Sequence, residues 1–453
     1  MSHRFLCALV LLGGCPALTQ AQATDTLVIS LAEAERRALE GSPLLSPAIA
    51  DIGLAEAQRD RARHARLLPE VNLRNLWGPI PTQRGEYTPT GVLTSPDSIA
   101  PLLSNLSWFT QVDLTVLQPL YTFGKISSRM DAADHQIELS QAALQKTRGD
   151  VILLARQLYW NVVLTDELDG VVGGVLNRVT EAEELLQERY DDGSATQNDL
   201  FKFRLFKYQV GQRARQLDAE AQKARGGLRA LLRLGDRVPF RVETEDLEPL
   251  DVALDSLETY LQLAAANRPE LDQLRAGIAA RRSLVRAAES DGKPTFYVGA
   301  DIKFNEAPAR IDPDNPFWRN DNNYFRPGVA FGIDWNLNFR EHKTRTEIER
   351  LETMKLEAQV EPLVAQVEQE VLEVYLDAVR ARADVEDGRG ALQASENWLR
   401  AEFQTFDIGI SGIEDVIAAF QANIEMTTAQ LQNIARLNTL IAELSQRIGQ
   451  DIQ

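Results

Sequence analysis

One segment of the sequence is too long and too regular to belong to a compact globular domain. From Ile126 to Tyr190 the chain contains no proline, and apolar residues recur every seven positions in two rows. A continuous helix over this segment would be roughly 100 Å long at about 1.5 Å per residue. A seven-residue repeat that persists over about six heptads is typical of coiled-coil packing. The rows are Leu144, Val151, Leu158, Thr165, Val172, Val179 and Leu186, and Thr147, Leu154, Asn161, Leu168, Val175 and Ala182.

A second long helix is predicted near 344–405, where another seven-residue row occurs. This segment contains Pro362. Proline lacks an amide hydrogen and its ring collides with the preceding turn, so we expect Pro362 to kink or interrupt the helix. The row consists of Val364, Val371, Ala378, Val385, Leu392 and Leu399.

The two halves of the chain repeat one plan. The stretch ERYDDGSATQNDLF (188–201) is echoed by EFQTFDIGISGIEDV (402–416), and SLAEAERRALEGSP (30–43) by SLETYLQLAAANRP (256–269). We interpret each half as helix, helix, strand, loop, strand, long helix, turn and helix. The period is far longer than that of a solenoid repeat, so it indicates a duplicated domain. At a constant offset the turn residues pair as Tyr190 with Phe406, Gly193 with Gly409, and Asp199 with Asp415.

These patterns predict boundaries along the whole chain. The predicted regions are a leader at 1–23, a first repeat at 24–235, a linker at 236–256 and a second repeat at 257–453. The first repeat is expected to hold strands near 69–77 and 107–121, a long helix near 126–190, a tip turn at 191–196 and a return helix near 197–234. The second is expected to hold strands near 294–304 and 324–339, a long helix near 344–405, a tip turn at 407–412 and a return helix near 413–448.

The predicted strands alternate strictly between apolar and polar residues. Period two with one polar face matches a membrane β-barrel that has a water-filled lumen. An antiparallel sheet half-covered by a soluble core would show the same alternation, and the strands alone do not distinguish the two. Four strands cannot close a membrane barrel, since the smallest need about eight, so a barrel would have to be shared by several chains. The predicted lumen-facing residues are Gln111, Asp113, Asp301, Lys303, Asp334 and Asn336.

The first residues have the features of an export signal. The apolar run Phe5–Leu12 follows Arg4, and a small-residue cleavage site, Ala21-Gln22-Ala23, follows it. An alternative interpretation takes Leu12-Gly13-Gly14-Cys15 as a lipobox, with Cys15 lipidated. Both cysteines of the sequence lie in this leader, so we expect neither disulfides nor thiol chemistry in the exported chain.

Composition argues against several classes of function. The net charge of -18 makes nucleic acid an unsuitable partner. The histidines, His3, His64, His135 and His342, are scattered without the spacing of a metal site. No phosphate-binding glycine loop or nucleophile elbow occurs. We therefore expect a protein that is not an enzyme and that needs no cofactor and no metal.

The order of these features resembles the TolC-like outer-membrane factor family of Gram-negative bacteria. The resemblance covers about 30–450 and includes the two turns and the segment LQPLYTFGK (117–125) between strand and helix. It implies a mainly α fold with a membrane β-barrel portion, in which a homotrimer shares a twelve-stranded barrel continued by a periplasmic α-helical barrel. It also implies a location in the outer membrane, in contact with its lipid and extending into the periplasm.

The family's function implies an exit duct that works with a periplasmic adaptor protein and an inner-membrane pump. The expected cargo is small toxic molecules, either drugs or metal ions. Type I protein secretion is an alternative role within the family. An alternative of another class is a structural or adhesive surface coiled coil without a pore, but the polar strand faces argue against it.

The resemblance places the two turns at the far periplasmic end of the duct. Gly193 and Gly409 suit the left-handed residue that ends a helix. A hydroxyl from Ser194, Thr196 or Ser411 can cap the next helix. Asp199 and Asp415 lie near that helix's N-terminus, where a carboxylate is favoured by the helix dipole. We expect Asp199 to be a capping residue, and Tyr190 and Phe406 to pack in the tip.

The second turn carries a further expectation from the resemblance. In the family this turn lines the entrance, so Glu414 and Asp415 from three chains would form a ring of carboxylates that attracts cations. Some members also carry an arginine latch in this turn. Here the matching stretch is Ile410-Ser411-Gly412, which has no basic residue. Any latch between chains must therefore differ in this protein, or the entrance closes more weakly.

Overall fold

The computed structural model of this chain describes residues 26–82, 86–87, 89–90, 93–94, 106–235, 238–310, 312, 317 and 319–452. The predicted leader at 1–23, with Cys15, lies outside the described residues, as do parts of both loops between paired strands. None of the helices in the described ranges carries an apolar window long enough to cross a membrane.

The chain is mostly helical, with one sheet of long strands. The helices are α1 Leu31–Gly41, α2 Leu45–Leu67, α3 Lys125–Asp191, α4 Gln197–Leu231, α5 Leu257–Asn267, α6 Pro269–Asp291, α7 Phe339–Glu357, α8 Val360–Asp407 and α9 Ile413–Ile448. The strands are β1 Leu27–Ile29, β2 Glu70–Pro81, β3 Glu86–Tyr87, β4 Leu93–Thr94, β5 Leu106–Tyr121, β6 Phe240–Val242, β7 Thr295–Glu306 and β8 Tyr324–Asp334.

The long strands pair in the order β2-β5-β7-β8, and every pairing is antiparallel. Residues directly opposite each other in such a sheet project to the same face. The alternation read from each strand therefore continues across the sheet. Its apolar face is exposed, as Val329 and Phe331 show with relative accessibilities of 76% and 82%.

Helix α3 runs without interruption over 67 residues. Part of the predicted heptad rows is buried, including Val151, Val179 and Leu186. Near the middle of the helix the rows fail: Tyr159 and Val163 are buried outside them, whereas Asn161 is exposed. Thr165, a polar member of the first row, is buried and donates a hydrogen bond to the carbonyl oxygen of Asn161 at 2.9 Å. The hydroxyl is satisfied within the helix, so it costs little to bury there.

The second long helix differs from the expectation of one element at 344–405. Helix α7 begins at Phe339 and α8 at Val360, with a break at residues 358 and 359 between them. Pro362 is the third residue of α8, in the first turn, where an amide hydrogen has no partner inside the helix. The strand expected near 324–339 ends at Asp334, because the chain leaves the sheet before α7 begins.

A small sheet lies where a linker was expected. Strand β1 pairs in parallel with β6, which falls inside the predicted linker at 236–256. Runs of three residues are too short to show a hydrophobic period, so the sequence carried no usable signal for either strand.

The described chain divides into two compact units that do not follow the two sequence repeats. One comprises the described residues up to Gly41 together with Leu158–Glu248 and Ala394–Leu431. The other comprises Ser42–Gln157, Pro249–Gln393 and the described residues from Gln432 onward. Each unit thus combines segments from both halves of the duplicated sequence. Both hairpin turns lie in the first unit, and the long-stranded sheet lies in the second.

Candidate functional site at the hairpin turns

The first turn joins α3 to α4 and closes both helices with its own groups. Gly193 has a φ of +86°, the left-handed conformation that glycine adopts without strain. The amides of Ser194 and Ala195 then donate to the carbonyl oxygen of Arg189 at 2.7 and 3.0 Å. These bonds satisfy a backbone acceptor that the end of α3 would otherwise leave open.

Thr196 caps α4 in a reciprocal arrangement with Asp199. The Thr196 hydroxyl accepts from the Asp199 amide at 3.2 Å, while the Asp199 carboxylate accepts from the Thr196 amide at 2.9 Å. The hydrogen bonds from the hydroxyl and the amide of Thr196 lower the pKa of Asp199. Asp199 is therefore a capping residue in this structure, and Thr196 is the cap among the hydroxyl residues considered.

The second turn joins α8 to α9 by the same geometry. Gly409 has a φ of +76°, and the amide of Ile410 donates to the carbonyl oxygen of Thr405 at 2.9 Å. The Asp415 carboxylate accepts from the amide of Gly412 at 3.2 Å, at the start of α9. Asp415 therefore has a capping contact, as Asp199 does. Ser411 instead contacts the Thr405 hydroxyl at 3.0 Å and does not cap α9.

An arginine from the first hairpin joins the two turns. Arg189 donates to the carbonyl oxygens of Phe406 and Asp407 at 2.6 and 2.7 Å, the last carbonyls of α8. Its guanidinium carbon lies 4.4 Å from the centroid of the Phe406 ring. The Arg189 side chain is only 19% exposed. This arginine contact joins the two hairpins within one chain, and the arginine comes from the last turn of α3 and not from the second turn.

The sequence contained a weak signal for this arginine contact. Arg189 is the sole base between Glu181 and Asp192, in a segment otherwise rich in carboxylates. The contact itself joins residues more than two hundred positions apart, which sequence periodicity does not report. Phe406 is buried beneath Arg189, in line with a packing role, whereas Tyr190 is 39% exposed.

A second cross-hairpin contact occupies Glu414. The carboxylate of Glu414 pairs with the ammonium of Lys202 on α4, and the hydrogen bond from this pair raises the pKa of Lys202. Behind the turns, the Phe420 ring lies 5.8 Å from Phe206 and 5.1 Å from Phe403. The two hairpins are therefore held by a buried aromatic cluster, an arginine clamp and a surface ion pair.

Comparisons with known proteins agree with this architecture. The outer-membrane channel CmeC of Campylobacter jejuni is 15% identical, with 92% of this chain and 85% of that chain covered and a TM-score of 0.72. The outer-membrane protein VceC of Vibrio cholerae is 18% identical, with coverages of 93% and 97% and a TM-score of 0.70. CusC, whose structures describe transmembrane channel formation, is 14% identical, with 96% of both chains covered and a TM-score of 0.74.

The chain has the TolC-like outer-membrane factor fold. The resemblance predicted from the sequence is confirmed, and the fold belongs to channels of the outer membrane, as expected. No family model matches the chain. The cobalt-zinc-cadmium resistance protein CzcC of Cupriavidus metallidurans is 28% identical over 171 residues. The match covers 36% of this chain and only 40% of CzcC.

The sheet of this TolC-like fold carries a charged row on its polar face. Directly opposed positions place Arg74 beside Asp113, Asp113 beside Lys303, and Lys303 beside Arg326. The register also puts Gln111, Asp301 and Asp334 on this face, together with the charged row. Asn336, the remaining predicted lumen residue, lies beyond the end of β8, so the pairing assigns it no face. The arrangement separates charge on one side of the sheet from exposed aliphatic and aromatic side chains on the other.

Proposed function

We propose that this chain is the outer-membrane exit duct of a tripartite export system. The two-faced sheet is the observation that carries the proposal. β8 has 11 residues and β2 and β7 have 12 each. At about 3.3 Å per residue and a tilt of about 45°, such strands rise about 26–28 Å, close to the about 25 Å apolar band of outer-membrane barrels. The exposed apolar face would contact lipid, and the charged row would face the lumen.

A homotrimer would resolve the shortage of strands. In one chain β2 and β8 are the edges of the sheet, and each presents unpaired backbone groups. In hydrocarbon those groups must be paired, because no water is available to bind them. Pairing β8 of one chain with β2 of the next three times closes a twelve-stranded barrel. The duct would meet a periplasmic adaptor and an inner-membrane pump at the hairpin turns, where Ile408 and Ile410 are exposed.

The cargo we favour is metal ions, within the broader set of small toxic molecules. The support is the partial relative CzcC, which is named for cobalt, zinc and cadmium resistance. The duct itself has no catalytic step and needs no bound cofactor.

A deletion strain tests the proposal directly. We expect the strain to grow more poorly than its parent on cobalt, zinc or cadmium salts, and the plasmid-borne gene to restore growth. If the strain is instead sensitive to drugs, bile salts or dyes, the proposed metal cargo is wrong but the role as an exit duct is supported. A purified protein that stays soluble and monomeric without detergent would rule out a shared barrel and favour a surface coiled coil. Normal resistance together with a protein missing from the culture supernatant would support type I secretion.

The proposed carboxylate ring at the entrance predicts a change in ion selectivity. We expect Glu414→Gln with Asp415→Asn to reduce the preference for cations over anions severalfold, because up to six carboxylates would leave one constriction in a trimer. The side-chain amide oxygen of each new residue can still accept the hydrogen bond that the carboxylate accepts now. The measurement is the reversal potential in a salt gradient across a planar bilayer.

Asp199→Asn is the matched control for this experiment. Asp199 and Asp415 each accept a hydrogen bond from the backbone amide three residues before them, but the proposed ring contains only Asp415. We expect the control to retain the parent's reversal potential. If neither variant shifts the potential, Glu414 and Asp415 form no selectivity ring. If both shift it equally, the potential responds to the charge of either turn, which also contradicts a ring specific to Glu414 and Asp415.

A further inference from the structure

We propose that a groove between α2, α3 and α6 binds an anionic phospholipid from the periplasmic leaflet of the outer membrane. This inference rests on the proposed function, since it requires the long strands to cross that membrane. The groove has a volume of about 590 Å³. Ligand pockets in proteins commonly measure about 300–1,000 Å³.

The walls of the groove suit a hydrocarbon chain. Small apolar residues from all three helices leave the space open, including Ala65 on α2, Ala133 on α3 and Ala280 on α6. Ile126 and Leu284 complete the apolar lining. Filling such a surface with an acyl chain removes apolar area from water, at about 25 cal/mol per Å².

Two guanidinium groups lie in the same groove. Arg61 is exposed, and no carboxylate lies within ion-pair distance of it in the part of the chain that the structure describes. Arg129 contacts Asp291 at 3.2 Å, but Lys125 and Arg345 share that carboxylate at 3.1 and 3.5 Å. Three cations around one acid leave a local excess of positive charge in a chain whose net charge is -18. Guanidinium groups bind phosphate oxygens through paired hydrogen bonds.

The groove lies where the strands meet the helices. Helix α2 ends at Leu67 and β2 begins at Glu70, while β5 ends at Tyr121 and α3 begins at Lys125. Leu67 and Leu68 are exposed at this junction, at 58% and 56%. Exposed leucines next to arginines are typical of a segment at a membrane surface. If the strands span the bilayer, the two arginines stand at the depth of the lipid phosphates.

The test compares phosphatidylglycerol with phosphatidylcholine as the retained lipid. The full protein is inserted in nanodiscs that contain equal amounts of both, extracted into mild detergent and analysed by native mass spectrometry. We expect preferential retention of phosphatidylglycerol, and about fivefold weaker retention of it in Arg61→Gln, the usual effect of one basic residue at an anionic surface. Ala65→Trp, which fills the groove from an exposed position, is expected to lose both lipids.

Arg63→Gln is the matched control, because Arg63 is an exposed arginine of the same helix that does not line the groove. Equal retention of the two lipids by the parent, or equal losses in Arg61→Gln and Arg63→Gln, would overturn the site. Channel conductance of the same preparations separates this outcome from a failure of the proposed function. If the protein conducts but shows no lipid preference, the lipid site is refuted and the duct is supported. A neighbouring chain would then be the expected cover of the groove. A protein that retains phosphatidylglycerol preferentially but never conducts refutes the duct; the groove still binds the lipid, but its place at the periplasmic leaflet is refuted with the duct.

Discussion

Arg189→Ala is expected to loosen the contact between the two hairpin turns, although the aromatic cluster and the Lys202–Glu414 pair remain, and to increase conductance through the proposed duct. The substitution removes two charge-assisted hydrogen bonds to the last carbonyls of α8 and the stacking on Phe406. Hydrogen bonds to charged groups contribute about 1.5–3 kcal/mol each, so a loss of about 3 kcal/mol would favour the released form by more than about a hundredfold. Single-channel recording and susceptibility of cells to a large glycopeptide antibiotic measure the effect.

Two further variants make this result interpretable. Arg189→Lys keeps the charge but cannot bind two carbonyls while stacking flat on the ring, so an intermediate conductance is expected. Arg204→Ala removes another arginine of the first hairpin, whose side-chain partners among the described residues are Glu183 at 3.0 Å and Gln187 at 3.1 Å, both on α3. We expect that control to conduct like the parent. An Arg189→Ala protein that also does so would show that the clamp does not restrain the turns.

Arg268→Ala is expected to destabilise the folded chain by about 3–5 kcal/mol, the usual result of removing one partner of a buried ion pair. Arg268 is 3% exposed and its guanidinium lies 2.6 Å from the carboxylate of Glu370. It also donates to the carbonyl oxygen of Arg447 at 3.2 Å, near the end of α9. Arg447 remains 3.1 Å from Glu370 in the variant, which favours the lower end of the range. The urea midpoint of unfolding measures the change.

The same pair predicts how this difference depends on pH. Burial raises the pKa of Glu370, but hydrogen bonds from Gln366 and Arg268 outweigh it and lower the pKa below its usual value. A carboxyl with a lowered pKa in the folded state adds stability above its unfolded pKa and loses it as the pH falls through the folded one. The difference in free energy of unfolding between the parent and Arg268→Ala should therefore become smaller as the pH falls.

Arg275→Ala controls for the loss of an arginine from α6. Arg275 is 62% exposed and pairs with Asp272 at 2.9 Å. Exposed pairs of this kind contribute about 0–1 kcal/mol, so we expect a small change. Equal losses in the two variants would mean that burial of Arg268 adds nothing to stability.

Several elements of this fold could be predicted from sequence patterns within single segments. The heptad rows predicted α3 because a helix repeats every 3.6 residues whatever it packs against. The glycines of both turns and the Thr196–Asp199 cap follow from backbone conformations that few residues adopt. Strict alternation in the strands fixed which side chains share a face, since a strand's period is two.

Other features depended on contacts that no local pattern records. Pro362 predicted the break directly before it, but the start of α7 at Phe339 was set by where the chain leaves the sheet. The register that lines Arg74, Asp113, Lys303 and Arg326 into one row required the pairing of strands from both halves. The compact units likewise combine both repeats, so duplication in sequence did not delimit them.

The sequence by itself determined the long helices, the two turns and the two faces of each strand, because these depend on the conformational preferences of residues close together in the chain. Only the tertiary structure decided that Arg189 clamps the opposite hairpin, that Lys202 pairs with Glu414, and that Arg61 and Arg129 line one groove. Those contacts join residues from 68 to more than two hundred positions apart. Packing between elements sets such distances, and the periodicity of a single element carries no information about them.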